Sequence, residues 1–298
     1  MGKESFHHNY RAFIALFKVC AKRKDLQKGI KLHAQISKRG LLGKSVYVGS
    51  IIINMYAKCG ALEKAQEAFD ELPIRNVVSW TTVITFYIQE GWYEEALYSY
   101  QQMRREGILP DEILLVCVLK ACGGVRDVEE CMEVHACVEK MGFLRSNVVV
   151  GTAVVDMYAK CGMLAESKIV FRTLPFQHVV LWNALISGCV RHERAEEALD
   201  YSQEMHRHGI QPDNITFTCL LYACSRAKLL HKGQDIFNMM IEEYAISPTI
   251  DHYTCMVDLY AKSGYLVEIE DFLDPVSGTS LWTALLTACK MHGERDIG

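Results

Sequence analysis

The sequence predicts an all-α protein, a solenoid of stacked helix-turn-helix repeats in which each pair closes its apolar face against the next. Three observations predict it. Met55-Tyr56-Ala57-Lys58-Cys59-Gly60 recurs as Met157-Tyr158-Ala159-Lys160-Cys161-Gly162 and, slightly altered, as Leu259-Tyr260-Ala261-Lys262-Ser263-Gly264, each time 102 residues on. The same offset links Trp80 to Trp182, Met103 to Met205, His33 to His135, Pro110-Asp111 to Pro212-Asp213, and Cys20 to Cys122 to Cys224. Within a period the apolar residues fall at helical spacing, while strand signals are weak: Val148-Val149-Val150 is too short a run to carry a sheet.

Each period divides into three shorter repeats. A tail at 1–9 precedes repeats at 10–45, 46–76 and 77–111, of 36, 31 and 35 residues. The cycle continues at 112–147, 148–178 and 179–213, and restarts at 214–249 and 250–278; residues 279–298 open a further motif. The repeat at 77–111 shows why each reads as two helices. Trp80, Val83, Ile84 and Tyr87 follow i, i+3, i+4, i+7, and Gly91 then breaks the pattern. Tyr93, Ala96, Leu97, Tyr100 and Met103 form a second stripe, which Gly107 and Pro110 close. Glu94-Glu95 and Glu196-Glu197 fall at the starts of second helices, where the helix dipole favours negative charge.

Composition narrows the function classes. With 298 residues, 50% hydrophobic and 23% charged, the chain is too apolar for intrinsic disorder, and no window of about 18 apolar residues could cross a bilayer. The net charge of −4 hides an asymmetry: residues 1–62 carry +10 and the remainder −14. Met1 to Tyr10 lacks the apolar core of a secretory signal, and Phe6 stands where a myristoylation site needs Ser or Thr. The 12 Cys include no CxxC pair and mostly sit at repeat-locked positions, so a packing role is favoured over metal. His33 and His135 share one register on a second helix, which favours packing or surface roles over catalysis. His292-Gly293-Glu294 matches the H-x-E of zinc deaminases, but no PCxxC follows it. There is no P-loop, GxGxxG or GxSxG. No catalytic site, cofactor or metal is expected in this chain.

Several runs carry a family resemblance. They are Val77-Val78-Ser79-Trp80 with Pro110-Asp111, Leu181-Trp182-Asn183-Ala184-Leu185-Ile186 with Gln211-Pro212-Asp213, and Asp156-Met157-Tyr158-Ala159-Lys160-Cys161-Gly162. Leu220-Leu221-Tyr222-Ala223-Cys224-Ser225 is equally characteristic. With these the chain resembles plant pentatricopeptide-repeat proteins, of the subclass that alternates long (10–45, 112–147, 214–249), short (46–76, 148–178, 250–278) and standard (77–111, 179–213) repeats. Asp251-His252-Tyr253-Thr254-Cys255-Met256-Val257-Asp258-Leu259 resembles the short repeat that ends such arrays, and Trp282-Thr283-Ala284-Leu285-Leu286-Thr287-Ala288-Cys289-Lys290 the start of the extension motif, inside which the chain stops. Leu273 to Trp282 is two residues shorter than the matching Phe171 to Trp182, and Asp274-Pro275-Val276-Ser277-Gly278 lacks the usual ending.

The resemblance implies a right-handed superhelix that binds single-stranded RNA at about one base per repeat. It assigns base selection to the fifth and last residues of each repeat: Ser50 with Asn76, Thr81 with Asp111, Val116 with Asn147, Thr152 with His178, and Asn183 with Asp213, followed by Thr218 and Thr254. The implied readout, from the RNA 5′ end, is A, G, an unspecified base, a purine, then U. Thr152 with His178 is an uncommon pair and leaves its base open; apolar Val116 contributes little specificity. Tyr47, Val78, Ile113, Val149, Val180 and Ile215, second in their repeats, would stack on bases. Lys22-Arg23-Lys24 reads as a solvated turn or as a phosphate contact. The implied task is organellar RNA processing, foremost site recognition for C-to-U editing, in chloroplast or mitochondrion, with editing cofactors and a deaminase in a further C-terminal region or in trans as partners. Neither a membrane nor DNA is an expected partner. The alternatives are a helical protein-interaction scaffold and an RNA stabilisation or splicing factor.

Overall fold

A computed structural model describes residues 3–40, 42, 46–265 and 268–273. Among them there is no strand. Two compact blocks divide at Phe143 and Leu144. The first holds four helix pairs: α1 (Lys3–Arg23) with α2 (Leu26–Lys38), α3 (Val46–Lys58) with α4 (Leu62–Asp70), α5 (Val77–Gln89) with α6 (Tyr93–Arg105), and α7 (Glu112–Val125) with α8 (Val128–Lys140). After the single turn of α9 (Phe143–Ser146), the second block holds α10 (Val148–Lys160) with α11 (Leu164–Thr173), α12 (Val179–Arg191) with α13 (Ala195–Arg207), α14 (Asn214–Ala227) with α15 (Leu230–Glu242), and α16 (Ile250–Ser263) with α17 (Glu268–Leu273).

Within each block a first helix packs on its own second helix and on the next first helix, as α3 does on α4 and α5, and α12 on α13 and α14. First helices therefore form one layer and second helices the other, which is the solenoid arrangement. The seam between layers is apolar and repeats in register. Trp80 packs edge-on against Phe69, centroids 4.6 Å apart, and Trp182 against Phe171 at 4.7 Å, each pair 102 residues from its counterpart. Cys20, Cys122 and Cys224 are buried in matching first helices, and Met103 and Met205 in matching second helices. Gly49 and Gly151 admit a leucine from the end of their repeat's second helix or just beyond it: a Cβ on Gly49 would lie 2.3 Å from Leu72, and one on Gly151 3.0 Å from Leu174.

The turn between the two helices of a pair needs a left-handed residue. Gly60, Gly91, Gly162 and Gly264 supply it, but Lys24, Arg126, Glu193 and Lys228 take the same place with φ between 54° and 63°. The sequence signal for that turn is therefore absent in half of the pairs.

Two features differ from the sequence expectation. α1 begins at Lys3, so most of the expected tail at 1–9 is helical; no Gly or Pro interrupts Lys3–Arg23. α9 was not expected and fills the end of the repeat 112–147. No described helix is long and apolar enough to cross a membrane. Asp274-Pro275-Val276-Ser277-Gly278, the Trp282–Lys290 motif and His292-Gly293-Glu294 lie outside the described residues.

Candidate nucleic-acid interface

The last residue of a repeat does local work first. Asn76, Asp111, Asn147, His178 and Asp213 are each the N-cap of the following first helix, which leaves amide N–H groups without intrahelical partners. Ser79 N–H donates to Asn76 Oδ1 at 2.9 Å, Leu114 N–H to Asp111 Oδ1 at 2.8 Å, and Thr216 N–H to Asp213 Oδ1 at 2.9 Å. Val149 and Val150 N–H donate to Asn147 Oδ1 at 2.9 and 3.2 Å. The cap holds the side chain at the helix entrance and, for Asp111 and Asp213, uses only one of the two carboxylate oxygens.

The fifth residue lies one turn further in. The hydroxyls of Thr81, Thr152, Thr218 and Thr254 donate to the carbonyls of Val77, Val148, Asn214 and Ile250 at 2.7–2.8 Å. A hydroxyl whose proton is used this way offers lone pairs only. Ser50 and Asn183 are each 5% exposed, and Val116 is half-buried in α7.

Three of the expected pairs meet. Asn183 Nδ2 donates to Asp213 Oδ1 at 2.9 Å. His178 Nε2 lies 3.5 Å from Thr152 Oγ1, while His178 Nδ1 accepts from Leu181 N–H at 3.4 Å. That cap requires the neutral tautomer with its proton on Nε2, and burial lowers the His178 pKa, which favours the same form. Thr81 and Asp111 line one groove of about 340 Å³ together with Val78, Ile113, Asn54 and Lys58. The second residues all face solvent: Tyr47, Val78, Ile113, Val149, Val180 and Ile215 are 49–67% exposed. In each block, three large apolar side chains at this register are left out of the core, which is a patterned exposure rather than a scatter of single surface residues.

The PPR repeat family matches residues 75–124 and 177–226, and the PPR repeat matches 50–77, 215–244 and 251–274. The chain belongs to the pentatricopeptide-repeat family. A pentatricopeptide repeat-containing protein of Arabidopsis thaliana is 37% identical over 288 residues, covering 96% of this chain and 39% of its own length. A chloroplastic one is 33% identical over 302 residues, covering 100% and 41%, and a putative mitochondrial one 37% over 287 residues, covering 95% and 46%, both from Arabidopsis thaliana. The chain thus spans about two-fifths of the length of the curated relatives it matches. The fold is that of the pentatricopeptide repeat protein PPR10 from maize, solved in complex with an 18-nucleotide psaJ RNA element: TM-score 0.74 at 19% identity, over 91% of this chain and 40% of that one.

The helix bounds of the pentatricopeptide repeats bring out a further series, which the sequence reading did not single out. Lys58, Lys160, Arg191, Arg226 and Lys262 lie at one register in the last turn of their first helices, and Lys22 holds the matching place in α1. The signal was visible, since Lys58, Lys160 and Lys262 stand inside the recurring run that defined the period. Asp156 pairs with Lys160 and Asp258 with Lys262, whereas Lys58 has uncharged Asn54 at the equivalent place and faces the groove. Lys22, Arg23 and Lys24 are exposed around the α1–α2 turn. No group of three or more His, Cys, Asp or Glu among the described residues could hold a metal ion.

Proposed function

We propose that this chain binds single-stranded RNA by sequence, about one base per repeat, and serves organellar RNA processing, with C-to-U editing-site recognition as the favoured task. The observation that carries this reading is the groove at Thr81 and Asp111. Two exposed apolar residues of successive repeats, Val78 and Ile113, flank a polar pair, an arrangement suited to a base edge held between two apolar contacts. Thr81 and Asp111 both offer acceptors only, which suits the N1–H and N2–H of guanine. Asn76 can meet adenine with its amide, and Asn183 with Asp213 can meet uracil. Lys58, which lines the same groove, would take a backbone phosphate, alongside Lys22, Arg23 and Lys24. The RNA-bound relative and the chloroplastic and mitochondrial relatives support the RNA ligand and the organelle. The chemistry of editing would belong to a further C-terminal region or to a deaminase in trans.

A fluorescence-anisotropy titration of short RNAs carrying 5′-A-G-N-R-U, against scrambled and double-stranded controls, tests the reading. Preference for the stated order, weakening with salt as phosphate contacts require, is the expected result. Equal affinity for the scrambled RNA would remove the base assignments, and no RNA affinity would favour the protein-interaction scaffold.

A further inference from the structure

Asn183 differs from the other fifth residues, Ser50, Thr81, Val116, Thr152, Thr218 and Thr254, in having two chemically opposite ends on one planar group. A carboxamide that can turn over presents a donor or an acceptor at the same point in space, and so reads no base by itself. Something must hold it. The N–H side is held by Asp213 Oδ1 at 2.9 Å. The carbonyl side is held by a residue of the following repeat: Thr216 Oγ1 donates to Asn183 Oδ1 at 2.6 Å. Thr216 is fully buried, and its backbone N–H also caps Asp213 Oδ1 at 2.9 Å, while Asp213 N–H donates to Thr216 Oγ1 at 3.1 Å. One threonine therefore touches both members of the pair. Where the fifth residue is Thr81, which has no amide to orient, the equivalent of Thr216 is Leu114, which has no hydroxyl.

We propose that Thr216 is a positioning residue that sets base selectivity at the Asn183–Asp213 pair by fixing the Asn183 carboxamide in a single orientation. This rests on the reading of that pair as a base-selecting site. Thr216 does not touch the base. Its hydroxyl holds the Asn183 carbonyl and leaves the remaining amide N–H and Asp213 Oδ2 as the groups a base would meet. That is one donor beside one acceptor, as a uracil carbonyl and N3–H require, whereas cytosine has no N3–H to give.

The test measures affinity of the full chain for A-G-N-R-U and A-G-N-R-C RNAs, and for a partner pair in which the G alone is changed to A. Wild type is expected to prefer U over C by about ten-fold, and Thr216→Val and Thr216→Ala to bring that ratio to within about two-fold of parity. Thr216→Ser keeps the hydroxyl and should keep the preference. The G-over-A ratio at the Thr81–Asp111 pair should stay as in wild type in every variant. A preference for U retained in both Thr216→Val and Thr216→Ala would overturn the positioning role and leave the base-reading intact. Loss of selectivity at both bases together would overturn it too, since a general packing defect predicts that pattern. No preference for U in wild type would overturn the reading of the pair and this role with it.

Discussion

Asp213 has two jobs on one carboxylate. Its Oδ1 caps α14 through Thr216 N–H and receives the Asn183 amide, and both of these bonds leave Oδ2 aside. Asn caps a helix about as well as Asp. Asp213→Asn should therefore leave the thermal midpoint near wild type while replacing the Oδ2 acceptor with an N–H donor. The preferred base should move from uracil, which gives an N3 proton, to cytosine, whose N3 accepts one, by about ten-fold in relative affinity. Paired titrations with RNAs differing only at that base measure it, and an unchanged preference for U would show that the pair does not read a base in this way. The 102-residue period fixes the register of Asn183 and Asp213, and the family resemblance is what singles them out. The bond from Thr216, 33 residues from Asn183, was not, because spacing locates a side chain on a helix but carries nothing about which end of an amide faces which neighbour. The tautomer of His178 was hidden for the same reason: it follows from which ring nitrogen faces the Leu181 amide.

At the scale of helices, the apolar stripes and the capping residues at repeat junctions were readable, and the Trp80–Phe69 and Trp182–Phe171 contacts follow from them. The polar shell around those tryptophans is where matching repeats part. Trp80 Nε1 donates to Glu106 Oε2 at 3.3 Å, and Arg75 clamps Glu106 at 3.0 Å while lying over Phe69 at 4.7 Å. The equivalents of Arg75 and Glu106 are Gln177 and His208. His208 sits 5.6 Å from the Trp182 ring, and Trp182 Nε1 is buried with no hydrogen-bond partner. A buried N–H without an acceptor costs about 1–3 kcal/mol. His208→Gln supplies a neutral acceptor at the place Glu106 occupies, without setting a second carboxylate beside Glu204, which lies one turn earlier. It should stabilise the second block by about 1 kcal/mol, read as a higher urea midpoint, and Glu106→Ala should lower the midpoint by at least as much. A His208→Gln midpoint equal to wild type would mean that Trp182 Nε1 already has a partner. The helix turns were less legible: with Lys24, Arg126, Glu193 and Lys228 holding left-handed backbone, only the register of neighbouring repeats marks those breaks.

Over the whole chain, the −4 net charge conceals a basic first fifth and an acidic remainder, and the 50% apolar content fills the two-layer seam of each block rather than a globular core. The same layering buries imidazoles. His33 and His135 occupy one register on second helices, and His33 Nδ1 lies 3.1 Å from Tyr56 Oη. Burial lowers the pKa of both, outweighing the opposing pull of Glu71 on His33 and of Glu139 on His135, and burial lowers that of His178 as well. The unfolded chain titrates these groups near their ordinary 6.5, so between that value and the lower folded pKa it binds more protons than the folded chain does. The stability they contribute is complete above about pH 6.5 and drains away as pH falls through the folded values, at no more than about 1.4 kcal/mol per pH unit for each. Glu130 works in the opposite sense, since burial raises its pKa and the folded chain takes up that proton first, but only as pH approaches the carboxylate range. The thermal midpoint should therefore hold from pH 7.5 to about 6.5 and fall from there to pH 5.5, and a His33→Gln, His135→Gln double variant should flatten that slope by their share while His178 keeps the remainder. A midpoint constant across that range, or a slope unchanged in the double variant, would mean that these imidazoles carry protons in the folded chain as readily as in the unfolded one.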